Sequence, residues 1–196
     1  MGLVRAFIAI EIPHTIQQSI HRATATLRHE LGETVRWVPP HNIHLTLKFL
    51  GDVSPAQIEA LTRSLRLEAD SHPPFDMRIY ALGSFPSLRR ARILWAGIQA
   101  SAGLEALNRG VESVCARLGY ESESRAFSPH LTIGRIRQEA SAADGQKIRR
   151  ALEATKIDSL GVVRVDSVQL FKSDLKSDGA VYTKLFSASL QTSVVE

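Results

Sequence analysis

The strings His44-Leu45-Thr46-Leu47 and His130-Leu131-Thr132-Ile133 follow one pattern and stand 86 positions apart. In a β-strand, residues two apart point to the same side, so each histidine shares a face with its threonine while the aliphatic residues face the core. A single His-x-Thr triplet occurs by chance in many proteins. Two copies at the same point of an internal repeat are far more specific, and they predict one site with two imidazoles and two hydroxyls.

The residues around the two strings repeat the same order of elements. An apolar run of strand type opens each half, at 6–10 and at 93–98. An amphipathic helix with apolar residues at steps of three and four follows, over 16–31 and over 104–118. A Leu-Gly pair, a common stop signal, is predicted to end both helices.

A second helix and a further strand are predicted after each histidine string. The capping pattern Ser54-Pro55-x-Gln57 begins one helix, and Ser141 begins the other, which runs to about Ala154. Each following strand leads to a phenylalanine, Phe85 in the first half and Phe171 in the second. The halves therefore cover about 4–86 and 91–173, with an extra C-terminal strand at about 180–190.

Strand–helix–strand–helix–strand in each half favours an α+β fold with helices segregated to one face of each sheet. Related lobes commonly pack about a pseudo-twofold axis, by analogy with a symmetric dimer. Such an axis places the equivalent strands, and with them both histidines, on either side of a cleft. We expect residues 1–196 to form one bilobal domain of this kind.

The bulk composition narrows the class of protein. The chain has 196 residues, a net charge of +4 and one cysteine, which excludes an intramolecular disulfide and a thiolate-rich metal site. No apolar run approaches the roughly 20 residues of a membrane span, so we expect a cytoplasmic protein without a membrane partner. The mild positive charge suits a phosphate-bearing ligand. The local cluster Arg89-Arg90-Ala91-Arg92 fits either RNA approach or a solvated loop.

Two histidines with two hydroxyls suit phosphoryl chemistry at a ribose. The attacking water or hydroxyl must lose a proton, and the leaving ribose oxygen must gain one. Histidine has an unperturbed pKa of about 6.5, so one ring can be neutral and the other charged near neutral pH. The hydroxyls of Thr46 and Thr132 can donate to non-bridging phosphate oxygens. This chemistry requires neither a metal nor a cofactor, and we expect none.

Nearly the whole chain resembles the 2H phosphoesterases, and within them the bacterial and archaeal RNA 2′,3′-cyclic phosphodiesterases, also called 2′-5′ RNA ligases. The segments that carry this resemblance are Arg5-Ala6-Phe7-Ile8-Ala9-Ile10, Arg36-Trp37-Val38, His44-Leu45-Thr46-Leu47-Lys48-Phe49-Leu50-Gly51, Gly83-Ser84-Phe85-Pro86, Pro129-His130-Leu131-Thr132-Ile133-Gly134-Arg135, and Leu170 with Ser173, Gly179 and Tyr182. The resemblance implies the bilobal 2H phosphoesterase fold, with two antiparallel sheets around a central cleft and helices on the outer faces.

The resemblance also implies an activity. It implies hydrolysis of a 2′,3′-cyclic phosphate to a 2′-phosphate without ATP or metal, with His44 as the proton donor and His130 as the proton acceptor. The spacing of the motifs does not assign these roles, because the two halves are nearly symmetric.

Three further residues are candidates for substrate binding. Strict alternation turns Arg135 away from the cleft, so a phosphate contact requires a β-bulge or a strand end. Phe7 and Trp95 stand at equivalent points of the repeat and can stack on bases or pack in the core. His41 and His44 are three residues apart, but Pro39 and Pro40 precede them, and this argues against a helical metal pair.

Several functions remain open at this stage. The leading one is a phosphodiesterase acting on RNA ends or small nucleotides, most simply as a monomer. Reversible 2′-5′ ligation of RNA in the same site is a variant of it. A non-catalytic RNA-binding module and a histidine metal site are alternatives of different classes. The histidine pair separates the enzyme from a non-catalytic RNA binder. Such a binder needs basic and aromatic residues on its sheet and has no use for two imidazoles with partner hydroxyls.

Overall fold

A computed structural model describes residues 2–177 and 179–191 of the chain. The strands are Val4–Glu11 (β1), Val35–Trp37 (β2), His44–Val53 (β3), Phe75–Phe85 (β4), Ile93–Gln99 (β5), His130–Ile136 (β6), Gly161–Val165 (β7), Ser167–Lys176 (β8) and Gly179–Ser189 (β9). The helices are His14–Ala23 (α1), Ala25–Leu31 (α2), Pro55–Asp70 (α3), Ala102–Arg117 (α4) and Ala142–Ala154 (α5). No helix in these two segments is both long enough and apolar enough to cross a membrane.

The strands form two antiparallel groups of four. One group has the order β7-β4-β5-β6 and the other β3-β1-β8-β9. A single residue pair, Leu45 with Leu131, joins them edge to edge, and β2 pairs with β6 beside this junction. The predicted α+β architecture of two antiparallel sheets in two lobes is confirmed, with the addition that the sheets are continuous at one point.

Two strands cross between the lobes. β4 lies in the first half of the sequence but pairs with β5 and β7. β8 lies in the second half but pairs with β1 and β9. Each lobe is therefore built from strands of both halves of the sequence, and the lobes do not coincide with the segments 4–86 and 91–173.

The main core lies on the sheet face opposite the histidines. Leu45 and Leu131 are 1% and 0% exposed, and they belong to the same buried cluster as Leu61 of α3 and Leu107 of α4. This burial follows from the alternation in each motif, which turns the aliphatic residues toward the helices and leaves the polar residues on the other face.

The helix boundaries follow the local signals with one difference. Ser54 caps α3 in a capping box with Gln57, and Ser141 caps α5 with Asp144. The single helix predicted over 16–31 is instead two helices, α1 and α2, separated at Thr24. The Thr24 hydroxyl donates to the carbonyl of Ile20 at 2.8 Å, and back-bonding of this kind bends helices.

Candidate active site

The two histidines open the two strands that meet at the junction of the lobes. His44 is the first residue of β3 and His130 is the first residue of β6. Each directly precedes a member of the Leu45–Leu131 pair. Both side chains are half-buried. The junction thus brings together two residues that are far apart in sequence, as the repeat predicts.

Both imidazoles are oriented by the same backbone interaction. The Nδ1 atom of His44 lies 2.8 Å from the carbonyl oxygen of Asn42, and the Nδ1 atom of His130 lies 2.7 Å from that of Ser128. Because a carbonyl oxygen only accepts hydrogen bonds, each Nδ1 must carry the hydrogen and donate it. This leaves Nε2 of each ring as the nitrogen that can take up or release a proton.

The two threonines extend each histidine face along its strand. Thr46 pairs with Ala9 of β1, and Thr132 pairs with Trp95 of β5. Both threonines are half-buried, whereas the residues that alternate with them are buried. The structure therefore places His44 with Thr46, and His130 with Thr132, on the face that the alternation predicts. In each lobe a hydroxyl lies two residues from an imidazole.

Aromatic rings surround His44. Phe7 stacks on it with ring centroids 4.8 Å apart, and Tyr182 meets it edge-on at 5.1 Å. Phe171 stacks on Phe7 at 5.3 Å, and its ring centroid is 6.4 Å from that of His44. Burial in this cluster lowers the pKa of His44 below its usual value; the Asn42 carbonyl partly opposes this, and the charge of Arg135 lowers the pKa further. The neutral ring of His44 is therefore favoured.

His130 has a simpler aromatic environment. Its ring meets Phe85 edge-on, with centroids 4.8 Å apart. Phe85 also lies against Trp95, at 5.3 Å. Phe85 belongs to β4, one of the strands that cross between lobes, so it reaches the histidine of the other sequence half.

A β-bulge places Arg135 on the histidine face. Along the β5–β6 pairing, Trp95 faces Thr132 and Ile93 faces Arg135, so Ile133 is an extra residue in β6. The bulge reverses the alternation after Thr132 and turns Arg135 to the same side as Thr132. The lowering of the His44 pKa by Arg135 agrees with this position. Arg36 of β2 pairs with Arg135 and adds a second positive charge.

Phe7 and Trp95 are placed differently, although they are equivalent in the repeat. Phe7 is 3% exposed and contacts both His44 and Phe171, so little of its ring is left for a base. This position favours packing against His44. Trp95 is half-buried and lies beside Thr132. Its ring covers Gly83, where a Cβ atom would come within 2.3 Å of the indole.

Phe49 is the aromatic residue that the sequence does not single out. A bulge at Leu47 places Phe49 opposite Phe7, so it lies on the same face as Thr46. It is 68% exposed, and its ring centroid is 6.2 Å from that of Phe7. Phe49 holds the position in β3 that Arg135 holds in β6. Alternation alone assigns both residues to the opposite face, and only the register of the neighbouring strand shows the bulges.

A buried ion pair connects the His44 strand to the segment that leads into His130. Lys48 of β3 is 8% exposed. Its Nζ atom donates to Oε2 of Glu112 at 2.8 Å and to the carbonyl of Glu121 at 2.6 Å. The same carboxylate oxygen accepts the backbone N–H of Glu123 at 3.4 Å. These bonds tie α4 and the start of the segment before His130 to β3.

The remaining titratable candidates lie outside this arrangement. His41 is exposed on a short 3₁₀ turn before β3. Cys115 is fully buried, and this burial raises the pKa of its thiol to about 11. Across residues 2–177 and 179–191, no group of three or more His, Cys, Asp or Glu side chains is arranged to hold a metal ion.

The sequence and the structure are both similar to LigT-like phosphoesterases. The family described as LigT-like phosphoesterase matches residues 10–95 and 98–182. An RNA 2′,3′-cyclic phosphodiesterase of Methanothermobacter thermautotrophicus is 29% identical over 182 residues, which is 93% of this chain and 96% of the relative. A protein of the same name from Aquifex aeolicus is 31% identical over 185 residues, covering 93% and 95%.

A solved structure extends the similarity to the fold. Escherichia coli LigT, crystallised with 3′-AMP, superposes with a TM-score of 0.76 at 28% identity and covers 97% of this chain and 99% of its own. Because both chains are covered almost completely, the likeness includes both lobes and the junction between them.

Proposed function

The chain belongs to the LigT-like phosphoesterase family, and from this premise we propose that it hydrolyses the 2′,3′-cyclic phosphate at the end of an RNA strand to a 2′-phosphate. The observation that carries this proposal is the pair of imidazoles at the lobe junction, each with Nδ1 bonded to a carbonyl two residues earlier. The names of the relatives from Methanothermobacter and Aquifex support the substrate class. The 3′-AMP complex of Escherichia coli LigT supports a ribonucleotide ligand.

The proposed reaction needs one base and one acid. Water attacks the phosphorus atom and forms a new P–O bond while Nε2 of His130 takes its proton. The bond between phosphorus and the ribose 3′ oxygen breaks, and Nε2 of His44 gives that oxygen a proton. The phosphate stays on the 2′ oxygen. Acid–base steps of this kind contribute roughly 10² to 10⁴-fold each.

The hydroxyls and the arginine act on the non-bridging oxygens. Thr46 and Thr132 each lie two residues from a histidine on the same face and can donate to these oxygens. Arg135 supplies positive charge on that face. Donors that are held in place before the reaction stabilise the charge that develops on the oxygens.

The lowered pKa of His44 fits a donor that gains its proton together with the substrate. A cyclic phosphate carries a negative charge, and a nearby negative charge favours the protonated imidazole. Substrate binding therefore opposes the effects of burial and of Arg135 on the pKa of His44. Once protonated, a ring with a low intrinsic pKa is a strong acid toward the leaving oxygen.

The base of the terminal nucleotide has two aromatic surfaces within this face. Phe49 is largely exposed next to Phe7, and Trp95 is partly exposed beside Thr132. Stacking on an aromatic ring tolerates any base, because every base has a π-face. We therefore expect broad acceptance of the terminal base.

The test is incubation of the purified protein, in the presence of a chelator, with a nucleoside 2′,3′-cyclic phosphate and with a short RNA that carries the same end. The products are separated by phosphate position. We expect a 2′-phosphate from wild-type protein and no product from His44→Ala or His130→Ala. His41→Ala is the matched control, because it removes an exposed histidine close to the site. Activity in either histidine variant, or a 3′-phosphate product, contradicts the proposal.

The same assay tests ligation when an RNA with a free 5′-hydroxyl is added. In ligation this 5′-hydroxyl replaces water as the nucleophile. His130 would accept its proton, and His44 would again donate a proton to the leaving 3′ oxygen. A joined 2′-5′ product in place of the hydrolysis product would show that ligation is the dominant reaction and would overturn the assignment of hydrolysis.

A further inference from the structure

A surface groove adjoins the active site next to Arg135. Arg92, Ile93, Arg135, Ile136 and Gln138 line its first part, which has a volume of about 510 Å³. Its second part, of about 760 Å³, shares Arg92 and Ile136 and continues between the segment 86–92 and helix α5. We call the two parts together the arginine groove. It adds Arg89, Arg90 and Arg149 to the positive charge of Arg135.

The charge in this groove is of one sign. None of its lining residues is an Asp or a Glu. In the described part of the chain, none of Arg89, Arg90, Arg92, Arg135 and Arg149 forms an ion pair. Arg137, an exposed arginine close to the groove, is instead paired with Glu33 at 3.4 Å. Unpaired arginines side by side repel one another, so the groove favours an anionic occupant.

The backbone of the groove is fixed to the strands of the active site. The N–H of Arg92 donates to the carbonyl of Phe85 at 2.7 Å, and the N–H of Ile136 donates to the carbonyl of Arg92 at 2.9 Å. Leu88–Arg90 forms a 3₁₀ turn that contacts α5. Strands β4 and β6 thus hold the backbone of the arginine segment at a fixed place relative to His130.

The position and the lining residues of the groove suit a nucleotide chain better than a single nucleotide. It starts at Arg135, on the face where the reacting phosphate is proposed to bind, and it leads away from the histidines. Arginine both contacts phosphates and stacks its planar guanidinium on bases, and single-stranded RNA is recognised in these two ways.

We propose that the arginine groove binds the single-stranded RNA that precedes the reacting end, so that the backbone phosphates run from Arg135 past Arg92 to Arg89, Arg90 and Arg149. This inference rests on the proposed function and deepens it: the RNA strand is bound through several backbone phosphates in addition to its reacting end. The cluster at 89–92 then has a role in binding that the catalytic reaction alone does not require.

The first measurement is equilibrium binding of a fluorescently labelled single-stranded RNA that ends in a 2′-phosphate and cannot react further. We expect Arg89→Gln/Arg90→Gln/Arg149→Gln to raise the Kd on the order of tenfold at moderate salt. Each phosphate contact contributes about 0.7 to the slope of log K against log salt for single strands. The slope should therefore fall by about 2 in the triple variant.

The matched control is Arg63→Gln/Arg109→Gln/Arg117→Gln, which removes the same charge from α3 and α4, away from the groove. The second measurement is turnover of a nucleoside 2′,3′-cyclic phosphate, which cannot reach the groove residues beyond Arg135. We expect the groove variant to raise the KM for RNA and to leave the turnover of the mononucleotide close to that of the wild type.

The outcomes separate the two proposals. If the wild type and the groove variant bind RNA with equal affinity and equal salt slope, the proposal that the groove binds RNA is wrong, whatever the catalytic result. Equal weakening by the control variant also overturns it, because this shows a response to net charge alone. If the wild type turns over no cyclic phosphate, the proposed function is wrong. The RNA binding data still show whether the groove binds RNA.

Discussion

The ring of Phe85 lies 4.8 Å from the ring of His130, although Phe85 ends the sequence half that carries His44. The reciprocal relationship exists in the other lobe, where Phe171 of the second half lies 6.4 Å from His44. Both follow from the crossing of β4 and β8 between the lobes. Each sequence half therefore supplies a histidine to one lobe and an aromatic contact to the histidine of the other.

We predict that Phe85→Leu lowers kcat on the order of tenfold with a smaller change in KM, because His130 loses an aromatic contact that helps the Ser128 carbonyl to orient it, while the proposed phosphate contacts are unchanged. Steady-state kinetics with a cyclic phosphate measures this. Phe75→Leu is the control, since it changes the same residue type at the opposite end of β4, where the ring packs on Gly103. An equal loss of kcat in both variants would indicate general loosening of β4.

The roles of the two histidines can be separated by the leaving group. A p-nitrophenyl phosphodiester has a leaving group that departs without a proton, so it needs no general acid. If His44 is the donor, His44→Ala should lose much less activity on this ester than on a cyclic phosphate. His130→Ala, which removes the base, should lose a similar factor on both substrates. If instead His130→Ala retains more activity on the p-nitrophenyl ester than on the cyclic phosphate, and His44→Ala does not, His130 is the donor and His44 is the base.

The charge of Arg135 should be visible in the titration of His44. Burial and Arg135 lower the pKa of His44 in the free protein, so Arg135→Gln should raise that pKa. If His44 is the donor, kcat/KM falls as pH rises through this pKa, and the falling limb should move to higher pH in the variant. NMR titration of the ring and the pH profile of kcat/KM measure the same shift. Arg137→Gln, which removes an exposed charge nearby, should leave the titration unchanged.

The strand alternation and the repeat were sufficient to predict the main features of the site. They gave the shared face of His44 with Thr46 and of His130 with Thr132, and they gave the helix caps at Ser54 and Ser141. These features depend on local periodicity and on hydrogen bonds within a few residues, both of which are visible in one segment of sequence.

The features that the sequence did not predict depend on pairing between distant strands. The bulges at Leu47 and Ile133, which turn Phe49 and Arg135 toward the site, appear only when the register with β1 and β5 is known. The crossing of β4 and β8 has the same origin. A strand's own residues do not specify its neighbour, so a repeat in sequence does not show which half completes which lobe.

The threonine hydroxyls should matter less than the imidazoles. We predict that Thr46→Val and Thr132→Val each lower kcat/KM by about 10- to 100-fold, since in the proposed mechanism each removes one donor to the phosphate oxygens and leaves both histidines in place. Thr46→Ser and Thr132→Ser keep the hydroxyl and should retain most of the activity. A loss in the serine variants as large as in the valine variants would assign the threonines a packing role.

The last prediction concerns the ion pair between Lys48 and Glu112, whose side chains are 8% and 22% exposed. Lys48→Met removes the ammonium group and leaves the Glu112 carboxylate and the Glu121 carbonyl without it, in surroundings that water reaches poorly. We predict a loss of about 3 kcal/mol in the free energy of unfolding, measured by urea denaturation. The kcat should also fall, because the start of the segment that leads into His130 is no longer tied to β3.

Two further variants make this prediction specific. Lys172→Met breaks an ion pair of similar length, 2.9 Å to Asp174, between side chains that are 33% and 41% exposed. Its cost should be at most about 1 kcal/mol, because water screens the pair. In Lys48→Met/Glu112→Gln the unpaired carboxylate is neutralised, so part of the lost stability should return. If Lys48→Met costs no more than Lys172→Met, or if the double variant regains nothing, the buried charge pair is not what holds the segment before His130 to β3.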